Sequence, residues 1–215
     1  FHTIVAKLLY LANRTRPDIM LAISFLTTRV TCATMSDRKK LWRVLKYLRD
    51  TMGMAIYLRG VGDRVEIYID AAFALHADGK SHSGIIVKLF GDTVLVKSAK
   101  QTIVTRNSTE AELVALADKI LLVVRCYDFL AEQGIDIGTP IVYQDNTSTI
   151  SLVTTGGGQY RSKYMQVRKE FVLQMVRDGD VTILHLPTGE MDADCCTKPL
   201  QGELGRFMVR RMLGI

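Results

Sequence analysis

The apolar positions change period along the chain, and the change divides it in two. Over the first 58 residues the spacing is helical. In "TRPDIMLAISFLTTRV", Pro17 suits a first helical position, and Ile19, Ile23, Leu26 and Val30 follow on one face. In "SDRKKLWRVLKYLRD", Leu41, Val44, Leu45 and Leu48 fall at i, i+3, i+4, i+7, with Ser36 or Asp37 placed to cap. The opposite face carries Lys39, Lys40, Arg43, Lys46 and Arg49 and reads as a solvated surface. "GVGD" ends this part as a turn.

From about residue 64 the period shortens to two. "VEIYIDAAF" predicts a strand ending near Asp70. "GIIVKLFGDTVLVKSA" predicts a hairpin turning at Gly91-Asp92. "STEAELVALADKILLVVRCYDFLAEQG" predicts a long helix, capped by Ser108 or Thr109 and stopped by Gly134. The strand "IVYQ", a short helix, the glycine-rich loop "TTGGGQYRSK", a basic amphipathic helix over 162–178, the strand "VTILHL" and a C-terminal helical stretch follow. The order β β β α β α α β α implies a mixed sheet with helices on it, an α/β fold.

Bulk properties narrow the reading only slightly. Length and a 48% hydrophobic share allow one core, or one domain with a partial neighbour, and a formal net charge of +6 suits a polyanionic partner without requiring one. Cys32, Cys126, Cys195 and Cys196 lack the spacing of a zinc site and read as reduced thiols of an intracellular protein. No apolar run approaches the ~20 residues of a membrane span, and no signal peptide is visible. The start at Phe1, within structured sequence, suggests a piece of a longer polypeptide whose cellular address is not encoded here.

Acidic residues recur at element boundaries: Asp70 at a strand end, Glu112 in the first turns of the long helix, Asp145 after "IVYQ", and Asp194 at the start of the last helical stretch. Carboxylates gathered in one cleft repel unless cations hold them, and hard oxygen donors suit Mg²⁺. Singly, each has a plainer role, because aspartates end strands and cap helices. Thr109-x-x-Glu112 fits a capping box and Asn107-x-x-Glu110 a similar pairing. Spacing from Leu116 turns Glu112 toward the sheet and leaves Glu110 more exposed.

At "YLANRTRPDI", "VLKYLRDT", "DGKSHSG", "NSTEAELVAL", "YQDN", "RSKY" and "DADCCTKPL" the sequence resembles the C-terminal part of copia-type LTR retrotransposon polyproteins. That resemblance implies a helical tail of reverse transcriptase over 1–60 and a ribonuclease H domain over 61–215. It implies a five-stranded ribonuclease-H-like mixed sheet of order 3-2-1-4-5. It also implies hydrolysis of the RNA strand of an RNA–DNA hybrid with two Mg²⁺ ions, for which Mn²⁺ can substitute, in partnership with the polymerase of the same polyprotein. The family's four metal-binding carboxylates fall on Asp70, Glu112, Asp145 and Asp194, with Glu110 and Asp192 as alternatives. Gln101, Ser108 and Asn146 are then candidate donors to the RNA strand, and Lys97, Lys100, Arg161, Lys163 and Lys198 candidate phosphate contacts. His185 reads as a packed or surface residue, and His76 and His82 as polar loop residues. The sequence departs from the family at Ala72, where a second aspartate is usual, and at Lys163-Tyr164-Met165-Gln166, which replaces Lys-His-Ile-Asp. The alternative is a silent or domesticated copy that binds hybrid or supports the polymerase without cleaving.

Overall fold

The computed structural model describes residues 1–215. Three helices come first: α1 (His2–Arg14), α2 (Met20–Thr27), entered through a 3₁₀ turn at Pro17–Ile19, and α3 (Met35–Asp50). The cap of α3 is Thr34 rather than Ser36 or Asp37. Its hydroxyl accepts from the Asp37 amide while the Asp37 carboxylate accepts from the Thr34 amide, a reciprocal pairing that satisfies two free donors. The helical expectation through residue 58 stops short, because residues 54–64 form no helix.

Strands β1 (Val65–Ala72), β2 (His82–Leu89) and β3 (Asp92–Lys100) form an antiparallel meander. The tight turn between β2 and β3 is Phe90-Gly91, one residue earlier than the sequence suggests, with φ of 54° and 84°. Paired positive φ values match the right-handed twist of the flanking strands. The long helix α4 (Ser108–Glu132) crosses the sheet, and β4 (Ile141–Gln144) then adds parallel to β1. Next come α5 (Thr147–Thr154), α6 (Lys163–Arg177), β5 (Thr182–His185) parallel to β4, a 3₁₀ turn at Asp192–Cys196, and α7 (Gly202–Leu213). The sheet order is β3-β2-β1-β4-β5.

Side-chain alternation along β1 sorts the core into two layers. Val65, Ile67, Ile69 and Ala71 face α4 and α6 in one cluster with Leu113, Leu116, Ile120 and Val172. Tyr68, with Ile86 and Val96, faces the other way, against Val5, Ile19, Ile23, Leu41 and Val44 of the first three helices and Met191, Cys196 and Met212 near the C-terminus. The first helices therefore share a core with the sheet. By parity Asp70 and its cross-strand partner Gly84 belong to this second face.

A carboxylate cluster at the sheet rim

Asp70 lies two residues before the end of β1 and is 1% exposed. Asp145 follows the last residue of β4, the strand parallel to β1, so both carboxylates reach the same edge. Asp194 comes from the 3₁₀ turn Asp192–Cys196, ahead of α7 rather than at its start. Asp70, Asp145 and Asp194 each offer an oxygen within 4.8 Å of the others. Glu112, on the opposite layer, reaches the rim in the first turns of α4. Its carboxylate accepts from the Ala71 amide at 3.1 Å and from Gln144 Nε2 at 3.3 Å.

Neighbouring groups hold this arrangement. Gln144 Oε1 accepts from the amides of Asp145 and Asn146 and fixes the turn that leaves β4. Thr188 Oγ1 donates to Asp145 at 2.9 Å, and Thr197 Oγ1 donates to Asp70. Lys198 Nζ lies 2.6 Å from Asp194 and 3.6 Å from Asp70. Gly84 provides the room: a Cβ there would stand 2.6 Å from Cys196 Cβ and 2.9 Å from Thr197 Cγ2. Thr197 and Gly84 lie inside the quoted motifs, yet nothing in their local pattern marked them. Only the packing of the 3₁₀ turn on β2 reveals them.

The electrostatics follow from crowding acids in a dry place. Burial raises Asp70, with Lys198 and Thr197 opposing and Asp145 adding to the rise. Burial also lifts Glu112 well above the usual carboxylate range, helped by the charges of Asp70 and Asp145. Asp194 is pushed up to about 6, chiefly by burial against the hydrogen bond from Lys198. Burial disfavours the Lys198 ammonium, but Asp70 and Asp194 outweigh it and raise its pKa. Four carboxylates thus share one ammonium. That deficit of positive charge, in a set made only of hard oxygen donors, fits a divalent cation.

Glu110 is buried, contrary to expectation, and is held by the Arg106 side chain and amide. The cap of α4 is Asn107, not Ser108 or Thr109, and Asn107 accepts from the Glu110 amide. Asp192 is tied to Lys88 at 2.5 Å and Arg211 at 2.9 Å, away from the cluster. Gln101 is buried, and both hydrogens of its amide nitrogen are taken up within the chain, by Ser83 and the Ala111 carbonyl. Lys97 donates to Asn13, Lys100 pairs with Asp78 at 2.7 Å, and Asn146 caps α5. Ser108, Arg161 and Lys163 are exposed, as is His185. His82 is no loop residue. It opens β2 fully buried, stacked on Phe25 of α2 and bonded to His76 at 3.0 Å and Ser98 at 2.7 Å.

A five-stranded mixed sheet of order 3-2-1-4-5, helix-covered and carrying carboxylates at the ends of β1 and β4, defines a ribonuclease-H-like fold. Among models of known protein families, none matches the chain. It is 32% identical over 203 residues to the retrovirus-related Pol polyprotein of transposon RE1 from Arabidopsis thaliana, covering 93% of this chain and 14% of that protein. It is 29% identical over 199 residues to that of transposon TNT 1-94 from Nicotiana tabacum, covering 92% and 15%. The chain is a relative of the retrovirus-related Pol polyproteins of plant transposons, and spans only about a seventh of their length. It is also similar to the solved structure of an RNase H1 isolated from compost, with 17% identity and a TM-score of 0.47 over 62% of this chain and 92% of that one.

Proposed function

We propose that the chain is a metal-dependent ribonuclease H that cuts the RNA strand of RNA–DNA hybrids, with residues 61–215 as the nuclease and 1–60 as the tail of the adjoining polymerase. The observation that carries this reading is the convergence of Asp70, Asp145 and Asp194 within 4.8 Å, with Glu112 behind them. The two Mg²⁺ ions of such a site would activate a water for attack on the phosphodiester and stabilise the departing 3′ oxygen.

The chain's own contribution is to prepare that cradle. Asp70, Asp145 and Asp194 present the ligand oxygens, and Glu112 adds charge from the α4 side. Thr197 and Thr188 each hold one carboxylate in orientation, so little reorganisation is needed when a cation binds. Lys198 pairs with Asp194 at 2.6 Å on the edge of the cluster, where its ammonium is also available to a substrate phosphate. Distinguishing hybrid from DNA duplex requires contacts to 2′-hydroxyls and to groove shape, for which the exposed Ser108, Arg161 and Lys163 are available. The expected partners are the hybrid and the polymerase of the same polyprotein.

The test is cleavage of an end-labelled RNA–DNA hybrid by the 215-residue chain with Mg²⁺ or Mn²⁺. RNA-strand cleavage that vanishes in an Asp70→Asn/Asp145→Asn double variant supports the assignment. Unchanged cleavage in that variant refutes the site, and salt-sensitive hybrid binding without cleavage by the parent establishes the silent reading instead.

A further inference from the structure

Beside Lys198 the surface opens into a depression outside the carboxylate cluster. One part, of about 550 Å³, runs between α2, α3 and the segment Cys195–Leu200. A second, of about 800 Å³, continues it between α3 and α7, sharing Arg43, Val44 and Val209 with the first. Its floor is apolar, built from side chains such as Phe25, Val44, Pro199 and Val209. Its charges are almost all positive: Lys40 and Arg43 from α3, Arg206 and Arg210 from α7, and Lys198 at the mouth. The one acid, Asp18, is held by Arg16 at 2.7 Å and by Tyr47. Arg43, Arg206 and Arg210 are exposed and form no ion pair, and Lys40 is exposed with only a long 3.7 Å contact to Asp37. The helical spacing of Lys40 and Arg43 suggested no more than a solvated surface. Folding sets them across from the cations of α7, on a path that ends at the acidic cluster.

We infer that this basic groove between α3 and α7 binds the sugar-phosphate backbone of the nucleic acid where it runs on beyond the carboxylate cluster. The inference rests on the proposed hybrid substrate and extends its footprint onto the N-terminal helices. A run of unpaired guanidinium groups over an apolar floor suits phosphates above and sugars below, and it reads charge rather than base sequence. Lys198 stands where the groove meets the cluster, linking the two parts of one track.

The experiment measures binding of a labelled RNA–DNA hybrid to the full chain in EDTA, so that no cleavage is needed, across a series of salt concentrations. A Lys40→Ala/Arg43→Ala/Arg206→Ala variant alters only exposed side chains outside the carboxylate site. Each lost phosphate contact flattens the slope of log affinity against log salt by about 0.9. The expected result is a slope shallower by about 2–3 and affinity at least tenfold weaker at low salt. A charge-preserving Lys40→Arg/Arg43→Lys/Arg206→Lys variant should keep the parental slope, which separates lost charge from damage to the fold. Parental affinity and slope in the alanine variant would overturn the groove even if the parent cleaves hybrid. So would protection of the groove by a longer chain carrying the polymerase, combined with unchanged nucleic-acid binding. A slope flattened in the alanine variant of a parent that never cleaves would uphold the groove and sink the nuclease reading alone.

Discussion

Replacing Gly84 with alanine probes how the cluster is assembled without touching a carboxylate. The added Cβ would meet Cys196 Cβ at 2.6 Å, Thr197 Cγ2 at 2.9 Å and the Ala193 carbonyl at 3.1 Å. Carbon atoms rest about 3.5–4.0 Å apart, so the 3₁₀ turn has to retreat from β2 by about 1 Å. Ala193 and Cys196 lie within two residues of Asp194, and Thr197 donates to Asp70, so the retreat opens the cradle from the Asp194 side. Overpacking of this kind costs about 1–3 kcal/mol. In a chain of this size it lowers the melting temperature by about 2–4 °C per kcal/mol. The chain should stay folded, while a misplacement near 1 Å lowers RNA-strand cleavage by about 100-fold and weakens Mn²⁺ binding measured by calorimetry. Thr197→Ser in the same background removes one clash, keeps the hydroxyl for Asp70, and should restore part of both. A Gly84→Ala chain with parental melting, Mn²⁺ affinity and cleavage would refute the claim that this glycine sets the position of the turn.

Three further outcomes are expected. Asp70 and Asp194 have folded-state pKa values raised by burial, so whatever stability they lend at low pH is lost as pH rises through those values, and both weigh against the fold at pH 7.5. An Asp70→Asn/Asp194→Asn variant should therefore melt above the parent in EDTA and lose the parent's upward shift with Mg²⁺; a retained Mg²⁺ shift would place the ion elsewhere. His82 is lowered from 6.5 to about 4, first by burial and then by His76 and Lys119. Its stabilising contribution is present above 6.5 and is lost as pH falls toward 4, so denaturant titrations should show a smaller loss over that window in His82→Gln than in the parent. Asp192→Asn leaves the buried Lys88 ammonium short of a counter-charge and should cost about 3–5 kcal/mol by urea unfolding; a cost below about 1 kcal/mol would remove the pair from the list of structural supports.

Much of the fold was legible in the sequence because local pattern and turn chemistry agree. Alternation named β1, β2 and β3, and the strong helical period named α4. Errors at the edges have local causes. Asn107, Ser108 and Thr109 are three adjacent capping residues, and only the backbone angles choose among them. Phe90 at positive φ is an unusual turn residue, so Gly91-Asp92 looked the better pair. What the sequence hid depends on contacts between distant segments. His82 became a core residue because α2 brings Phe25 over it. Glu110 became buried because Arg106 folds back onto it. Gln101 carries no mark of its internal partners, since a polar residue after a strand is usually wet. The convergence of the carboxylates was easier to anticipate: Asp70 and Asp145 sit at strand ends, where α/β sheets gather their chemistry, and Glu112 and Asp194 lie within quoted motifs.

The first three helices do more than precede the sheet. They cover its second face, where Tyr68, Ile86 and Val96 would otherwise meet water, and Phe25 seals the histidine pair at the start of β2. A chain trimmed to begin at residue 61 would lay that apolar face open to water and should aggregate on expression. Leading helices and sheet share one interior, so exchanging either for a foreign counterpart should lower solubility unless the matching surface comes with it.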